Sequence, residues 1–197
     1  MNSTQDFTKV VFCGNSTVGK TTLIRQITKG DVDPENESTI GVAFTTYEQN
    51  FKGQTFRLNL WDTAGQEQYR SLVNIYFRGA DVVVIVFDLS NYESFEQVED
   101  WIDVSIENVG KEPSFIFVGN KIDLPSAIPS SELLEFANDK NYISLSALNG
   151  EGVDILINDL GKLAEKKSMS PTEIPKSNSF ENIEEVKNQN ADDDRCC

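Results

Sequence analysis

The stretch GNSTVGKT, residues 14–21, decides the fold of this chain. It fits the pattern G-x-x-x-x-G-K-[ST], which forms a loop that holds phosphate groups. The apolar run VVFC, residues 10–13, precedes it, and Leu23, Ile24 and Ile27 follow it at helical spacing. This is the order of strand, loop and helix that the pattern requires. We therefore predict a strand over 8–13 and a helix over 19–29.

Each part of this loop has a chemical reason to bind phosphate. Its two glycines allow backbone conformations in which successive N–H groups point inward, and the helix start adds its positive end. Lys20 would place an ammonium against the terminal phosphates, and the Thr21 hydroxyl would bind Mg²⁺. The predicted phosphate-binding residues of the loop are Gly14, Ser16, Thr17, Val18, Gly19, Lys20, Thr21 and Thr22.

Strand and helix patterns alternate along the rest of the chain. Residues 42–51 and 54–61 both alternate in polarity, and Lys52-Gly53 separates them, which predicts a hairpin. Apolar runs at 80–89, 114–119 and 142–146 are typical of buried parallel strands. Segments with helical spacing separate or follow them, at 95–102, 133–137 and 155–163. We predict an α/β fold with a doubly wound, six-stranded, mostly parallel sheet, one antiparallel edge strand and helices on both faces.

The chain divides into three parts. Residues 1–7 form a short extension, residues 8–167 form one domain, and residues 168–197 form a tail rich in Ser, Pro, Asn, Asp and Glu that we predict to be disordered. Within the domain, the polar stretch 30–38 is predicted to be a long exposed loop, and such loops are usually functional.

Composition restricts the classes of function. The formal net charge of −15 disfavours nucleic acid as a partner, because phosphates attract Lys and Arg. The absence of histidine excludes histidine acid–base chemistry near neutral pH. The longest fully apolar run, 82–87, is too short to span a bilayer. Three cysteines do not make a disulfide framework, which indicates a reducing cytosol.

Polar motifs follow three of the predicted strands, where the ligand crevice of such a sheet lies. Asp62, at the end of its strand, would help to hold Mg²⁺. Gly65 would bring its N–H to a γ-phosphate, and Gln66 would orient a water molecule because its amide both donates and accepts. Thr39, which closes the polar loop, would give Mg²⁺ a second hydroxyl when a γ-phosphate is present.

A second motif, NKID at residues 120–123, predicts the base. Asp123 would accept two hydrogen bonds, from guanine N1–H and from its 2-amino group, a donor pair that adenine lacks. The triplet SAL at residues 146–148, after the last strand, would supply a backbone N–H to the guanine carbonyl. The predicted guanine-binding residues are Asn120, Lys121, Asp123, Ser146, Ala147 and Leu148.

With these motifs, the chain resembles a Ras-superfamily small GTPase and is most similar to the Rab branch. The Rab-like stretches are IGVAF at 40–44, WDTAGQE at 61–67, YFRGA at 76–80 and the final Cys196-Cys197. The resemblance implies the G domain of the P-loop NTPases, GTP and GDP with Mg²⁺ as ligands, and slow GTP hydrolysis that switches the segments around Thr39 and 65–72. It also implies an effector surface that includes Ile40, Gly41, Phe44, Trp61, Tyr69, Leu72 and Tyr76.

The same resemblance implies partners and a place in the cell. The partners would be an exchange factor, a GTPase-activating protein, effectors, and a GDP-dissociation inhibitor or prenylation escort protein. Cys196 and Cys197 match a double prenylation site, and two lipids would be needed because Asp192-Asp193-Asp194 is repelled by an anionic membrane. The protein would then cycle between the cytosol and the cytoplasmic face of an endomembrane, with an endosome as one option.

Two alternatives stay open at the level of sequence. One is another P-loop ATPase or kinase, although the chain has no arginine-rich lid and Asp123 favours guanine. The other is a scaffold that binds nucleotide without hydrolysing it, against which Gln66 argues.

Overall fold

The computed structural model describes residues 7–30, 42–63 and 76–169. Its centre is a six-stranded sheet made of β1 (Phe7–Cys13), β2 (Val42–Phe51), β3 (Gln54–Thr63), β4 (Val82–Asp88), β5 (Ser114–Asn120) and β6 (Tyr142–Ser144). The strand order across the sheet is β2-β3-β1-β4-β5-β6. Strands β2 and β3 are antiparallel, and every other neighbouring pair is parallel. The predicted sheet is therefore confirmed.

The antiparallel edge of the sheet is a hairpin with a two-residue turn. Lys52 and Gly53 join the strands and have φ angles of 51° and 80°. Two successive positive φ angles are typical of the type I′ turn, whose twist matches that of the flanking strands. The hairpin and its turn are thus placed as the Lys-Gly pair predicts.

Helices cover both faces of the sheet. The described ranges contain α1 (Lys20–Lys29), α2 (Tyr92–Glu96), α3 (Val98–Val109), α4 (Ser130–Asp139) and α5 (Val153–Met169). Val10 and Phe12 of β1 belong to one buried core with α1 and α5, whereas Val11 and Cys13 belong to a second core with α3 and α4. Because side chains alternate along a strand, these cores lie on opposite faces, and the sheet is doubly wound.

Several elements end one or two residues away from the predicted bounds. Strand β4 begins at Val82 rather than at residue 80. Strand β6 stops at Ser144, although the N–H of Leu145 still donates to the Gly119 carbonyl of β5 at 2.9 Å, and the next N–H, that of Ser146, donates to the Glu151 carbonyl at 2.9 Å. Helix α5 runs to Met169, two residues beyond the predicted end of the domain. No helix within the described ranges is long and apolar enough to cross a bilayer.

The helical pattern predicted over 95–102 is two helices. Helix α2 ends at Glu96 and α3 begins at Val98, with Gln97 between them. Helix α2 begins after Asn91, whose side chain accepts the Glu93 N–H at 3.1 Å. Apolar spacing continues across the break, so periodicity alone does not reveal it.

Asp81 links the amino-terminal end of β1 to the carboxyl-terminal end of α5. Its carboxylate accepts the Lys9 N–H at 2.8 Å, the Lys111 ammonium at 2.5 Å and the Lys167 ammonium at 2.6 Å. Burial raises the pKa of Asp81, but the hydrogen bonds from Lys111 and Lys167 outweigh burial and hold the pKa below its ordinary value. Lys167 also donates to the Phe7 carbonyl at 2.7 Å, so the last turns of α5 are fixed to the start of β1.

Candidate functional site

The loop between β1 and α1 passes so close to two neighbouring segments that two of its positions have no room for a side chain. Gly14 has a φ of 134°, and a Cβ there would collide with the Val86 carbonyl of β4. Gly19 has a φ of 97°, and a Cβ there would collide with the side-chain amide of Asn120. The two glycines of the motif are therefore required by the packing of the loop between β4 and the end of β5.

The outer turn of this loop carries a strained residue. Ser16 and Thr17 are exposed, whereas Val18 is buried. Thr17 has a φ of 65°, which is uncommon for a residue with a side chain and concentrates at functional sites. Thr22 follows in the first turn of α1 and is half-buried.

Lys20 is buried inside the loop. Its ammonium donates to the Gly14 carbonyl at 2.8 Å and to the Asn15 carbonyl at 2.6 Å. Burial lowers the pKa of Lys20 to about 8, although the nearby charge of Asp62 acts in the opposite direction. An anionic ligand beside this ammonium would restore the charged form, because an opposite charge raises the pKa of an amine.

This pKa predicts that nucleotide binding depends on pH. The unbound protein loses the Lys20 proton above about pH 8, whereas the phosphate-bound form keeps it. The affinity for GDP is therefore expected to be nearly constant below about pH 7 and to fall about tenfold between about pH 7 and pH 9. Titration calorimetry across this range measures the effect. In the control Lys20→Arg the side chain stays charged over the whole range, and any ionisation of the ligand's base would affect both proteins alike. An equal dependence of affinity on pH in the two proteins would therefore contradict the prediction.

Thr21 and Asp62 meet beside the loop. The Thr21 hydroxyl donates to Asp62 Oδ2 at 2.7 Å, and the Asp62 carboxylate is buried at the end of β3. The next residue, Thr63, donates its hydroxyl to the Phe12 carbonyl at 2.8 Å and so ties this end of β3 to β1. A hydroxyl and a carboxylate are hard oxygen ligands, and Mg²⁺ usually takes one or two carboxylates with phosphate oxygens. The two residues fit a magnesium ion shared with a phosphate.

Asn120 links the phosphate loop to the base-side motif. Its Nδ2 donates to the Val18 carbonyl at 2.8 Å, and its Oδ1 accepts the Ala147 N–H at 2.9 Å. The Ser146 hydroxyl donates to Asp123 Oδ1 at 2.5 Å. Three segments that are far apart in sequence are therefore held together, as predicted from their places after β1, β5 and β6. Leu148 lies at the outside of this group and is largely exposed.

A comparison with protein families supports the same interpretation. A model of the Ras family matches residues 9–166. The chain belongs to the Ras family of small GTPases. Proteins of this family are switches that bind GTP and GDP, typically with Mg²⁺, and that hydrolyse GTP. They generally interact with exchange factors, activating proteins and effectors.

Several residues that the sequence predicts for a Ras-family site lie outside the described ranges. The structure therefore gives no position for part of the predicted catalytic, γ-phosphate, effector and lipid sites. These residues are Thr39, Ile40, Gly41, Gly65, Gln66, Tyr69, Leu72, Cys196 and Cys197. Their roles remain predictions.

Three aromatic residues of the predicted effector surface form a continuous group. Phe44 and Trp61 have ring centroids 5.2 Å apart, and Trp61 and Tyr76 have centroids 6.3 Å apart. Trp61 and Tyr76 are partly buried against the core, whereas Phe44 is 51% exposed. Lys9 Nζ lies 4.6 Å from the centroid of the Trp61 ring, a cation–π contact. The group is thus both part of the core and part of the surface.

Sequence reasoning missed Asp88, which positions the base-side motif. Asp88 ends β4, and its Oδ2 lies 2.6 Å from the Lys121 ammonium. Burial raises the pKa of Asp88, but the hydrogen bonds from Lys121 and Ser90 outweigh it and keep the pKa below its usual range. Lys121 itself has a φ of 69°. The sequence offered one sign of this role, namely a carboxylate at the end of an otherwise fully apolar strand.

Proposed function

We propose that this Ras-family protein is a Rab-type switch that hydrolyses GTP to GDP and phosphate and acts on an endomembrane. The observation that most supports the nucleotide-binding part of this proposal is the link made by Asn120, which joins the phosphate loop through Val18 to the base-side loop through Ala147. A single nucleotide can then occupy both halves of the site, with its phosphates at residues 14–22 and its base at Asp123.

The base is proposed to be guanine. Asp123 is oriented by the Ser146 hydroxyl, which donates to Oδ1, and its carboxylate is the acceptor pair that guanine N1–H and the 2-amino group require. Ala147, on the same loop as Ser146, is buried, and its backbone N–H donates to Asn120 Oδ1. Adenine would leave this carboxylate without its donors, which costs binding free energy.

In the proposed reaction, water attacks the γ-phosphorus, and the bond from this phosphorus to the β,γ-bridging oxygen breaks. The Gln66 amide orients the water, and the Lys20 ammonium with the loop N–H groups stabilises the charge on the phosphate oxygens. Thr21 and Asp62, with Thr39 in the GTP form, would hold a magnesium ion, which would further neutralise that charge. The γ-phosphate contacts of Thr39 and Gly65 would be lost with hydrolysis, and this loss is the switch.

Single-turnover GTP hydrolysis tests the catalytic role. Gln66→Leu removes both polar atoms of the amide, and phosphate release is expected to slow by about 100-fold because the water loses its orientation. Gln54→Leu, an exposed glutamine at the hairpin turn, is the matched control and should hydrolyse at the wild-type rate. Equal rates for Gln66→Leu and wild type would reject the role of Gln66. Binding without any phosphate release would favour a scaffold, and preference for ATP would favour another P-loop enzyme.

The Rab assignment is supported by the aromatic group Phe44, Trp61 and Tyr76. A half-exposed Phe44 at its outer end suits an anchor for a partner, because aromatic side chains supply much of the energy of interfaces. We propose that effectors bind this group together with Ile40, Gly41, Tyr69 and Leu72. Because the neighbouring segments respond to the γ-phosphate, effectors would bind the GTP form. An exchange factor would set the rate of GDP release, and an activating protein would set the rate of GTP hydrolysis.

Membrane attachment is proposed to use geranylgeranyl groups on Cys196 and Cys197. Two lipids give stable anchoring where one gives only marginal binding, and the adjacent Asp192-Asp193-Asp194 offers no attraction to anionic lipid. A GDP-dissociation inhibitor or escort protein would then carry the lipids through the cytosol. The intact mass of protein isolated from eukaryotic cells tests this. Two added lipid masses are expected, and Cys196→Ser/Cys197→Ser, the matched control, should show none. An unmodified mass for the wild type would reject the anchor.

A further inference from the structure

The second residue of the phosphate loop is bound to α3 through both ends of its side chain. Trp101 Nε1 donates to Asn15 Oδ1 at 2.8 Å, and Asn15 Nδ2 donates to Gln97 Oε1 at 2.7 Å. Trp101 lies in the first turn of α3, and Gln97 is the residue at which α2 and α3 part. The motif that predicts the loop permits any residue at position 15, so the motif itself does not predict these contacts.

The polar atoms at the two ends of this network fix the direction of every bond. The indole of Trp101 can only donate, so the carbonyl of Asn15 faces it and the amide NH₂ of Asn15 faces Gln97. Gln97 in turn directs its Nε2 to the Glu93 carboxylate at 3.4 Å, and an ionised carboxylate can only accept. The chain Trp101, Asn15, Gln97 and Glu93 therefore has a single consistent orientation, which specifies one position for the Asn15 side chain.

The main chain of the same residue contacts the phosphate lysine. The Asn15 carbonyl accepts from the Lys20 ammonium at 2.6 Å. The residue before it, Gly14, lies against the Val86 carbonyl, so the loop cannot move toward β4. Asn15 is consequently held by α3 through its side chain, by Lys20 through its carbonyl and by β4 through its neighbour. Loss of the Trp101 and Gln97 contacts would remove the side-chain part of this hold.

We propose that Trp101 and Gln97 are positioning residues that hold the phosphate loop in its nucleotide-binding shape through the side chain of Asn15. They set how long the nucleotide is retained without contacting it themselves. Because Gln97 is the break between two helices, a movement of α2 relative to α3 changes an anchor of the loop. The inference rests on the nucleotide binding proposed above.

The release of a fluorescent GDP analogue from the full chain, chased with excess GDP in the presence of Mg²⁺, tests this proposal. Trp101→Phe keeps an aromatic ring but removes the donor, and Asn15→Leu removes both side-chain bonds. Trp101→Phe is expected to release nucleotide about three- to tenfold faster, the range for the loss of one net hydrogen bond, and Asn15→Leu, which loses two, about ten- to 100-fold faster. The double variant should release no faster than Asn15→Leu alone, because its second substitution removes a contact that is already lost.

Asn108→Ala is the matched control. It removes a side-chain hydrogen bond to the Val104 carbonyl on the same helix, away from the loop, and should retain the wild-type release rate. If Trp101→Phe does not fold, Gln97→Leu replaces it, with the same expectation. A wild-type rate for Trp101→Phe or its replacement, an equal acceleration by Asn108→Ala, or accelerations that multiply in the double variant would each overturn the proposal. Failure of the wild type to retain GDP would instead reject the proposed function.

Discussion

Asp123→Ala is expected to weaken GDP binding by about 10²- to 10⁴-fold while leaving the fold intact. The carboxylate would accept two hydrogen bonds from the base, and each hydrogen bond to a charged group is worth about 1.5–3 kcal/mol. Their sum, about 3–6 kcal/mol, converts to this range of dissociation constants. Among the residues that the structure describes, the substitution removes the hydrogen bond that Asp123 accepts from the Ser146 hydroxyl.

Calorimetric titration with GDP and with ADP measures this prediction. The wild type is expected to prefer GDP strongly, and the preference should nearly vanish in Asp123→Ala because the group that distinguishes the bases is gone. Asp139→Ala, which removes an exposed carboxylate at the end of α4, is the matched control and should bind GDP as the wild type does. A retained preference for GDP in Asp123→Ala would show that other groups read the base.

Gly14→Ala is expected to destabilise the protein by about 2–6 kcal/mol. The new Cβ would collide with the Val86 carbonyl, which belongs to the backbone of the central strand β4 and cannot turn aside as a side chain would. The φ of 134° adds conformational strain. Overpacking of a tight site typically costs about 1–3 kcal/mol and strained backbone about 1–3 kcal/mol more.

Urea unfolding of the nucleotide-free protein measures the loss. Gly53→Ala separates the two causes, because Gly53 has a φ of 80° but no atoms within 4 Å of the position that a Cβ would take. This control is expected to lose only about 1 kcal/mol, the cost of the conformation alone. Equal losses in the two variants would mean that β4 moves to accommodate the methyl group.

The sequence was sufficient for those parts of the site that follow from local order along the chain. The phosphate loop, the hairpin and Asp62 each combine a short motif with the strand pattern beside it. Parallel strands then bring such motifs to one edge, so the link between Asn120 and the phosphate loop follows from the topology. These features follow from hydrophobic periodicity and strand register, and a single sequence contains the information for both.

The features that were missed depend on pairing between distant side chains. The break at Gln97 is invisible to apolar spacing, and the tie from Trp101 to Asn15 joins residues 86 positions apart. No role for Asp88 was predicted, and its ion pair with Lys121 joins the end of β4 to a residue that has a positive φ. Such contacts are decided by three-dimensional distance, which neither propensity nor periodicity encodes.

The ion pairs around Asp81 fix the end of α5 to the first residue of β1, and the tail continues from this end of α5. Lys167 fastens the last turns of α5 to the first residue of β1, and the nucleotide loop begins where β1 ends. Seven residues of strand separate these points, a span of about 20 Å. A lipid-bearing tail that continues from α5, as proposed above, would therefore join the protein beside the first residue of β1, at the opposite end of that strand from the nucleotide loop. If the proposed lipid anchor is present, the nucleotide loop would lie about 20 Å of strand away from the attachment point, and regulators could reach the nucleotide while the protein stays on the membrane.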